Sequence, residues 1–156
     1  MRAIYTPGKI TSIEEAENLC SEAFKMYLRS TSLGKTDYNG AIEAAQHCIE
    51  LSVKALYKIV GLEYPKKHDP STQLEDVIKR LNGLHYTQIV SIARAKWISK
   101  MWEWAHSTSI YGTLKVPASK LFKLKDVQTA FDYASEMHGC CSVIISLVKS
   151  GQLEVV

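Results

Sequence analysis

The sequence lacks the glycine patterns that hold phosphates in the common nucleotide-binding folds. Its eight glycines each stand alone, so neither G-x-G-x-x-G nor G-x-x-x-x-G-K-[ST] can be formed. No H-E-x-x-H and no G-x-S-x-G stretch is present, which removes the usual signatures of zinc peptidases and serine hydrolases. These familiar catalytic motifs are therefore excluded, and we expect the glycines to end helices instead.

Cysteine is scarce and poorly spaced for metal or disulfide chemistry. The four cysteines include no C-x-x-C pair, and Cys140 and Cys141 are chain neighbours that cannot easily bond to each other. We therefore expect no disulfide framework, no metal and no cofactor, with Cys20, Cys48 and Cys141 as small core residues on helices. One zinc set can be imagined, although its spacing matches no zinc pattern: His47, Cys48, His138, Cys140 and Cys141.

Long apolar runs are also missing. Charged or polar residues interrupt every helical stretch before it reaches the ~20 residues that span a bilayer, and no apolar signal core follows Met1. We expect a cytoplasmic protein without membrane contact. Its 19 Lys and Arg against 16 Asp and Glu give a net charge of +3, which permits contact with phosphates but falls short of a dedicated nucleic-acid-binding charge.

Apolar residues recur at three- and four-residue spacing between the four prolines, and this pattern predicts helices. Capping-box patterns at Thr11 and Ser12 mark the start of the first. No segment alternates apolar and polar residues over the length of a strand. We predict a single all-α domain over residues 1–156, an up-and-down bundle of four long helices and one short helix. The predicted helices cover about residues 12–31, 37–60, 70–82, 86–110 and 124–150.

The second predicted helix is apolar around most of its circumference. One stripe is built of small residues such as Ala41 and Ala45, which let a neighbouring backbone approach closely. A second stripe of larger residues lies beside it, so we expect this helix to be the centre of the bundle. Only a narrow strip remains compatible with solvent: Glu43, His47, Glu50, Lys54 and Lys58.

The same helix carries the most specific pattern in the chain. It reads Ala41-x-x-x-Ala45-Gln46-x-x-x-Glu50-x-x-x-Lys54-Ala55, and Gly61 and Tyr64-Pro65-Lys66-Lys67-His68-Asp69 follow. This pattern resembles the HEPN family, the "higher eukaryotes and prokaryotes nucleotide-binding" helical domain, and a weaker likeness extends as far as Val148. The resemblance implies an up-and-down helical bundle, usually a homodimer, that is linked to nucleotides, RNA or nucleotidyltransferase partners.

Catalysis is a separate question within that family. Members that act as ribonucleases carry an Arg followed by four to six residues and a His near the start of a late helix, where the Arg would stabilise a phosphate and the His would move protons. Arg80 and His85 fit this expression, but they straddle a helix end and precede the fourth helix. Ile110 also stands where many members have an Arg before the residue matching Tyr111. The catalytic residues are therefore unknown beyond these two candidates.

Basic side chains cluster at the end of the second helix and in the loop after it. They can form one wall of a groove that binds a phosphate chain, with Tyr57 or Tyr64 stacking on a base. The alternative is an ordinary solvated face in which Glu50 and Lys54 form an i,i+4 pair. The predicted phosphate-binding residues lie within fifteen positions: Lys54, Lys58, Lys66, Lys67 and His68.

Aromatic residues line the fourth predicted helix, where Trp97, Trp104 and Tyr111 follow one another at helical spacing. Such a line can stack on a purine, but it more commonly packs in a core or forms a self-association surface. We expect a homodimer in which the fourth helix, or the second helix with its small residues, contributes to the contact.

These observations favour a HEPN-like, non-catalytic module that binds nucleotide or RNA. No Asp-x-Asp occurs to hold Mg²⁺, so any nucleotidyltransferase would be a separately encoded partner chain. Two alternatives stay open. One is a metal-independent endoribonuclease of the toxin–antitoxin type, and the other is a structural dimerisation partner of another enzyme.

Overall fold

Four long helices frame the molecule. The computed structural model describes residues 7–105, 108–109, 112–113 and 116–156. The all-α prediction and the up-and-down bundle are confirmed. In chain order the helices are α1 (Pro7–Leu33), α2 (Tyr38–Ile59), a 3-10 turn (Ser71–Gln73), α3 (Leu74–Lys79), α4 (Tyr86–Trp102), α5 (Ala118–Leu121) and α6 (Leu124–Lys149).

Helix α2 is the central helix, as its sequence predicts. The Asp37 carboxylate caps its start by accepting a hydrogen bond from the Gly40 N–H at 2.9 Å. Gly61 has a φ of +75° just beyond its end, a conformation that glycine adopts without strain. The helix packs against α1, α4 and α6. Its stripe of small residues lets α1 approach closely. The Ser30 hydroxyl of α1 accordingly reaches the Ala41 carbonyl and donates a hydrogen bond to it at 2.7 Å.

The first helix begins earlier than its capping boxes predict. It starts at Pro7 instead of Ser12, so the patterns at Thr11 and Ser12 lie inside the helix. Proline is well suited to the first helical position because its φ is already helical and it needs no N–H partner there. The predicted end is close to the observed one, at Leu33 before Gly34.

The fourth helix is shorter than predicted. It ends at Trp102, where the chain turns at residues 103–104, and the predicted end at Ile110 lies outside the described residues. The turn brings the Trp104 ring against Trp102 at 6.1 Å and against Phe122 at 5.9 Å between centroids. This aromatic packing is a tertiary contact that helical periodicity alone does not contain.

A two-stranded ladder follows α3, where the sequence predicted continued helix. Strand β1 (Leu81–Asn82) pairs antiparallel with β2 (Glu154–Val155), with Leu81 opposite Val155. Helix α3 accordingly stops at Lys79 instead of residue 82. Strands of two residues are too short to show a periodic pattern, which is why the sequence does not reveal them. The pairing fastens residues 154–155 beside the end of α3.

Candidate functional site

A buried polar cluster lies on α2, facing the loop that follows the helix. The Glu50 carboxylate is at its centre, with only 7% of the residue exposed. Its Oε1 accepts a hydrogen bond from Lys54 Nζ at 2.7 Å. Its Oε2 lies 3.2 Å from His68 Nδ1 and accepts from Gln46 Nε2 at 3.3 Å. Three polar side chains from two segments therefore converge on one carboxylate.

This cluster corrects the predicted solvent strip of α2. Of its five members only His47 is exposed, whereas Glu50 is buried and Lys54 and Lys58 are half-buried. Burial raises the pKa of Glu50, but the hydrogen bonds from Lys54 and His68 outweigh it and hold that pKa below its ordinary value. Glu50 is therefore a buried, charged anchor and not part of a solvated face.

Two lysines of α2 share the ring of Tyr64. Lys54 Nζ lies 5.1 Å and Lys58 Nζ 5.6 Å from the ring centroid, which is cation–π range. Lys58 also contacts Glu63 at 2.8 Å and Glu15 at 3.0 Å, and these carboxylates raise the pKa of Lys58. Lys54 and Lys58, two of the four lysines predicted to bind phosphate, are thus engaged with groups of their own chain.

The loop after α2 is tied down by Tyr57 at its far end. The Tyr57 hydroxyl donates to the Pro70 carbonyl at 2.5 Å and accepts from the Gln73 N–H at 3.0 Å. Burial raises the pKa of Tyr57 to about 12. Its side chain is fully buried, so this placement supports a structural role in holding the loop and not the predicted stacking on a base.

Asp69 forms a second tie. Its Oδ1 accepts hydrogen bonds from the Ser71 N–H at 3.1 Å, from the Ser71 hydroxyl at 2.5 Å and from the Ser99 hydroxyl of α4 at 2.8 Å. The residue is buried, with 8% exposed. Since Ser99 belongs to another helix, this carboxylate joins the loop to α4 as well as binding Ser71, the first residue of the 3-10 turn.

Residues 64–68, which we name the basic loop, are held between these anchors. The His68 carbonyl lies 3.5 Å from Gln46 Nε2, and Tyr64 contacts the two lysines of α2. Lys66, Lys67 and His68 are exposed. Within the part of the chain that the structure describes, no salt bridge involves Lys66 or Lys67. The structure thus brings the predicted basic residues to one region, in two groups: engaged lysines on α2 and exposed side chains on the loop.

The candidate pair Arg80 and His85 occupies the connection from α3 to α4. Arg80 is exposed at the end of α3, and its carbonyl accepts from the Val156 N–H at 2.9 Å. His85 caps α4: its Nδ1 accepts from the Thr87 N–H at 3.3 Å, and its own N–H donates to the Gln88 side chain at 2.6 Å. These contacts give His85 a capping-box role at the start of α4.

Helix α4 carries an apolar stripe on the side away from the bundle. Trp97 is 51% exposed, although its ring also touches Tyr133 edge-on at 5.8 Å. Trp104 is 48% exposed but lies beyond the end of the helix, and Tyr111 lies outside the described residues. We name the exposed positions, which recur at helical spacing, the outer stripe: Tyr86, Ile89, Val90, Ala93 and Trp97.

A groove of 710 Å³ between α1 and α6 was not predicted. Cys20, Phe24 and His138 are among its lining residues. The sequence placed Cys20 in the core, but Cys20 and His138 are both only partly buried and line this groove. Their partner Cys141 is fully buried as expected. Nothing in the spacing of residues so far apart along the chain signals that they meet.

The imagined zinc set of His47, Cys48, His138, Cys140 and Cys141 is not brought together in the structure. In the ranges that the structure describes, no group of three or more His, Cys, Asp or Glu side chains is placed to hold a metal ion. His47 is exposed on α2, whereas Cys48 is buried beneath it and directs its Sγ toward the Ala134 carbonyl at 3.7 Å. All four cysteines are free thiols.

The fold and these anchors define a class of protein: an all-α bundle domain whose central helix ends in a fastened, basic loop. The family comparison is more specific. The HEPN domain model matches residues 11–144, and the chain belongs to the HEPN family. Membership supports a module related to nucleotides or RNA. No curated protein and no solved structure matches significantly. Over the described ranges, no helix is long and apolar enough to cross a membrane.

Proposed function

We propose that residues 1–156 form one homodimeric HEPN module that binds the phosphates of a nucleotide or RNA at the basic loop and has no catalytic activity of its own. Membership of the HEPN family supports the nucleotide or RNA relation. Nucleotidyl transfer, where it is involved, comes from a separate partner chain. The observation that carries the proposal is the way in which buried polar contacts hold Lys66, Lys67 and His68 at the surface.

Such contacts are costly to build unless every group finds a partner. Here Glu50, Asp69 and Tyr57 are buried, and each binds the segment around the basic loop. A loop that is already ordered loses less conformational entropy when it binds a ligand. The fastened loop therefore presents its positive charges in one arrangement, as phosphate binding requires.

Tyr64, the first residue of the basic loop, supports the same proposal. Its ring contacts the ammonium groups of both Lys54 and Lys58. The charges of these lysines are largely neutralised by their ion pairs with Glu50 and Glu63, so they attract a ligand less strongly. We assign these lysines to positioning the loop and to its electrostatic background. Direct phosphate contacts are assigned to the exposed side chains. Because Lys66, Lys67 and His68 are exposed, we place the binding on the surface of the basic loop.

The test is binding of labelled single-stranded RNA and of a labelled nucleoside triphosphate, followed by fluorescence anisotropy over a range of salt. The variant Lys66→Gln/Lys67→Gln should lose about tenfold or more in affinity, and its salt slope for RNA should fall by about 1.4, since each phosphate contact contributes about 0.7. The matched control is Lys120→Gln/Lys125→Gln, which removes two exposed lysines elsewhere. Equal losses in both variants, or no binding by the wild type, would contradict the proposal.

The dimer is proposed to form through the outer stripe of α4. This stripe exposes two aromatic rings, two large aliphatic side chains and Ala93 on the side opposite the buried residues of the helix. An apolar helix face of this kind is stable in water only when something covers it. A second copy in a twofold arrangement covers both stripes at once. The other helix considered, α2, is buried by its own chain and is not available.

A further inference from the structure

Two cysteines and a histidine meet at the groove between α1 and α6. Cys141 Sγ donates to Cys20 Sγ at 3.4 Å, so two thiols 121 positions apart are in direct contact. His138 Nε2 lies 3.5 Å from Cys20 Sγ on the other side. Cys20 and His138 line the groove, whereas Cys141 is completely buried behind them. The cluster therefore has one thiol open to small molecules and one beneath it.

The contacts make the two thiols unequal. The hydrogen bond from Cys141 stabilises the thiolate of Cys20 and lowers the pKa of Cys20, against the opposing effects of burial and of Glu17. The same contact, together with burial, raises the pKa of Cys141. Lys149 Nζ lies 3.0 Å from the Glu17 carboxylate and partly offsets its negative field. The open thiol is thus the more acidic and the buried one its hydrogen-bond donor, an arrangement typical of reactive cysteines.

The remaining cysteines show what an inert thiol looks like in this fold. Cys48 is fully buried, and burial raises the pKa of Cys48 to about 12. Cys140 is buried next to Cys141 in sequence, and burial raises its pKa as well. Since neither has an acidified, accessible sulfur, the fold provides internal controls for any reaction at Cys20.

We propose that Cys20 is an oxidative modification site that reacts with hydroperoxides entering the groove, and that Cys141 is its resolving thiol. The Cys20 thiolate attacks the terminal peroxide oxygen, so that an S–O bond forms and the O–O bond breaks; hydroxide leaves from hydrogen peroxide and an alkoxide from an organic hydroperoxide. For hydrogen peroxide the product is a sulfenic acid. Cys141 then attacks the oxidised sulfur, and the disulfide forms as the sulfenic oxygen departs as water. In sum, two thiols and one hydrogen peroxide give one disulfide and two waters.

His138 contacts the reacting sulfur directly in this scheme. Burial lowers the pKa of His138, so its imidazole is neutral near pH 7 and can take the Cys20 proton or donate a hydrogen bond to the thiolate. Phe24 packs on the imidazole at 5.2 Å between ring centroids and limits its movement. The ring is held beside the sulfur that reacts.

The disulfide would join α1 to α6 across most of the chain. Closing so long a loop restricts the unfolded state, so the oxidised protein should melt several degrees above the reduced protein. This proposal does not depend on phosphate binding, because none of the groove residues belongs to the basic loop. It adds a chemical modification to a module whose proposed function is binding.

The first test is competitive labelling of the full chain with a limiting amount of iodoacetamide at pH 7, read by peptide mass mapping. Cys20 should label about tenfold faster than Cys48 or Cys140. The variant His138→Gln should slow the labelling of Cys20 several-fold while the far-ultraviolet circular dichroism stays unchanged. Labelling of Cys20 no faster than Cys140 would overturn the proposal.

The second test uses hydrogen peroxide and a non-reducing peptide map. The wild type should yield a Cys20–Cys141 cross-linked peptide whose mass is that of the two reduced peptides together less two hydrogens. The matched control Cys140→Ser, at the neighbouring position, should still form it. In Cys141→Ser the oxidation should stop at a Cys20 sulfenic acid that dimedone traps, and Cys141→Ala serves if the serine is not tolerated. Oxidation of the wild type without this cross-link, or a cross-link between two chains, would refute the resolving role.

Discussion

Lys54 Nζ lies 2.7 Å from Glu50 Oε1, and this ion pair is largely shielded from solvent. The two side chains are only 16% and 9% exposed. An exposed i,i+4 pair of the same residues contributes only a few tenths of a kcal/mol. Burial changes this value, because a buried charge that loses its partner keeps its desolvation penalty. The pair therefore holds the end of α2 and the basic loop together.

Replacing Glu50 should destabilise the fold. The variant Glu50→Gln keeps the shape of the side chain but leaves the Lys54 ammonium without its carboxylate, so the free energy of unfolding should fall by about 1–3 kcal/mol. Urea denaturation near pH 7 measures this change. The control is Glu22→Gln, which breaks an exposed ion pair with Lys25 and should cost less than about 0.5 kcal/mol. Similar losses in both variants would show that burial adds nothing.

The contribution of Glu50 should also depend on pH with a defined sign. Although burial acts in the opposite direction, the hydrogen bonds from Lys54 and His68 hold the pKa of Glu50 below its ordinary value. A carboxyl of this kind stabilises the fold above its unfolded pKa, about 4.3, and this stability is lost as the pH falls through the folded pKa. The difference between wild type and Glu50→Gln should therefore be largest near neutral pH and shrink below about pH 4. A difference that grows in acid would contradict this assignment.

Removing the Asp69 carboxylate should loosen the contact between the loop and α4. In Asp69→Ala, the Ser71 N–H and the Ser99 hydroxyl lose their common acceptor in a buried site, which should cost about 1–3 kcal/mol. Asp69→Asn keeps one oxygen and should cost less. Thermal unfolding measures the loss of stability in the two variants and in the exposed control Asp132→Asn, and the loss should be largest for Asp69→Ala. An unchanged melting temperature in Asp69→Ala would show that the Asp69 carboxylate does not stabilise the contact between the loop and α4.

A charge in the outer stripe should dissociate the dimer. In Val90→Lys an ammonium stands in the middle of the proposed contact, where its desolvation opposes association. Sedimentation velocity should then show a shift from dimer to monomer at micromolar concentration. Leu28→Lys on α1 is the matched control, since Leu28 is 50% exposed and lies on another helix. Dissociation of both variants, or a monomeric wild type, would argue against α4 as the interface.

Most of the fold could be predicted because helices reveal themselves locally. The apolar stripes of α2 and the stop at Gly61 lie within one segment, and the structure has both where the sequence indicates. The misplaced features have non-local causes. Helix α4 ends where Trp104 packs on Phe122, and β1 pairs with a strand more than seventy positions away. Neither contact has a local signature.

The candidate site was predictable in composition but not in geometry. The basic residues of the loop could be named from their spacing, because charges that are close in sequence remain close in space. The burial of Glu50 could not, since a carboxylate at helical spacing beside a lysine usually faces water. Its environment changes because the loop after α2 brings His68 back into contact with the Glu50 carboxylate. Likewise, the contact between Cys20 and Cys141 depends on the packing of α1 against α6.

Tyr57 offers a way to separate the fastening of the loop from its charge. The variant Tyr57→Phe removes one hydroxyl that binds Pro70 and Gln73, and it leaves every basic side chain in place. If the anchors order the loop in advance, RNA affinity should fall several-fold, because ordering the loop now opposes binding. The salt slope should stay unchanged, since it counts phosphate contacts. Anisotropy titrations of the variant beside Tyr27→Phe, a half-buried tyrosine of α1 outside the basic loop and the outer stripe, measure both quantities at a temperature where each protein is folded. Full affinity in Tyr57→Phe would mean that the loop needs no anchor at Pro70, and a reduced slope would mean that a phosphate contact was lost with the hydroxyl.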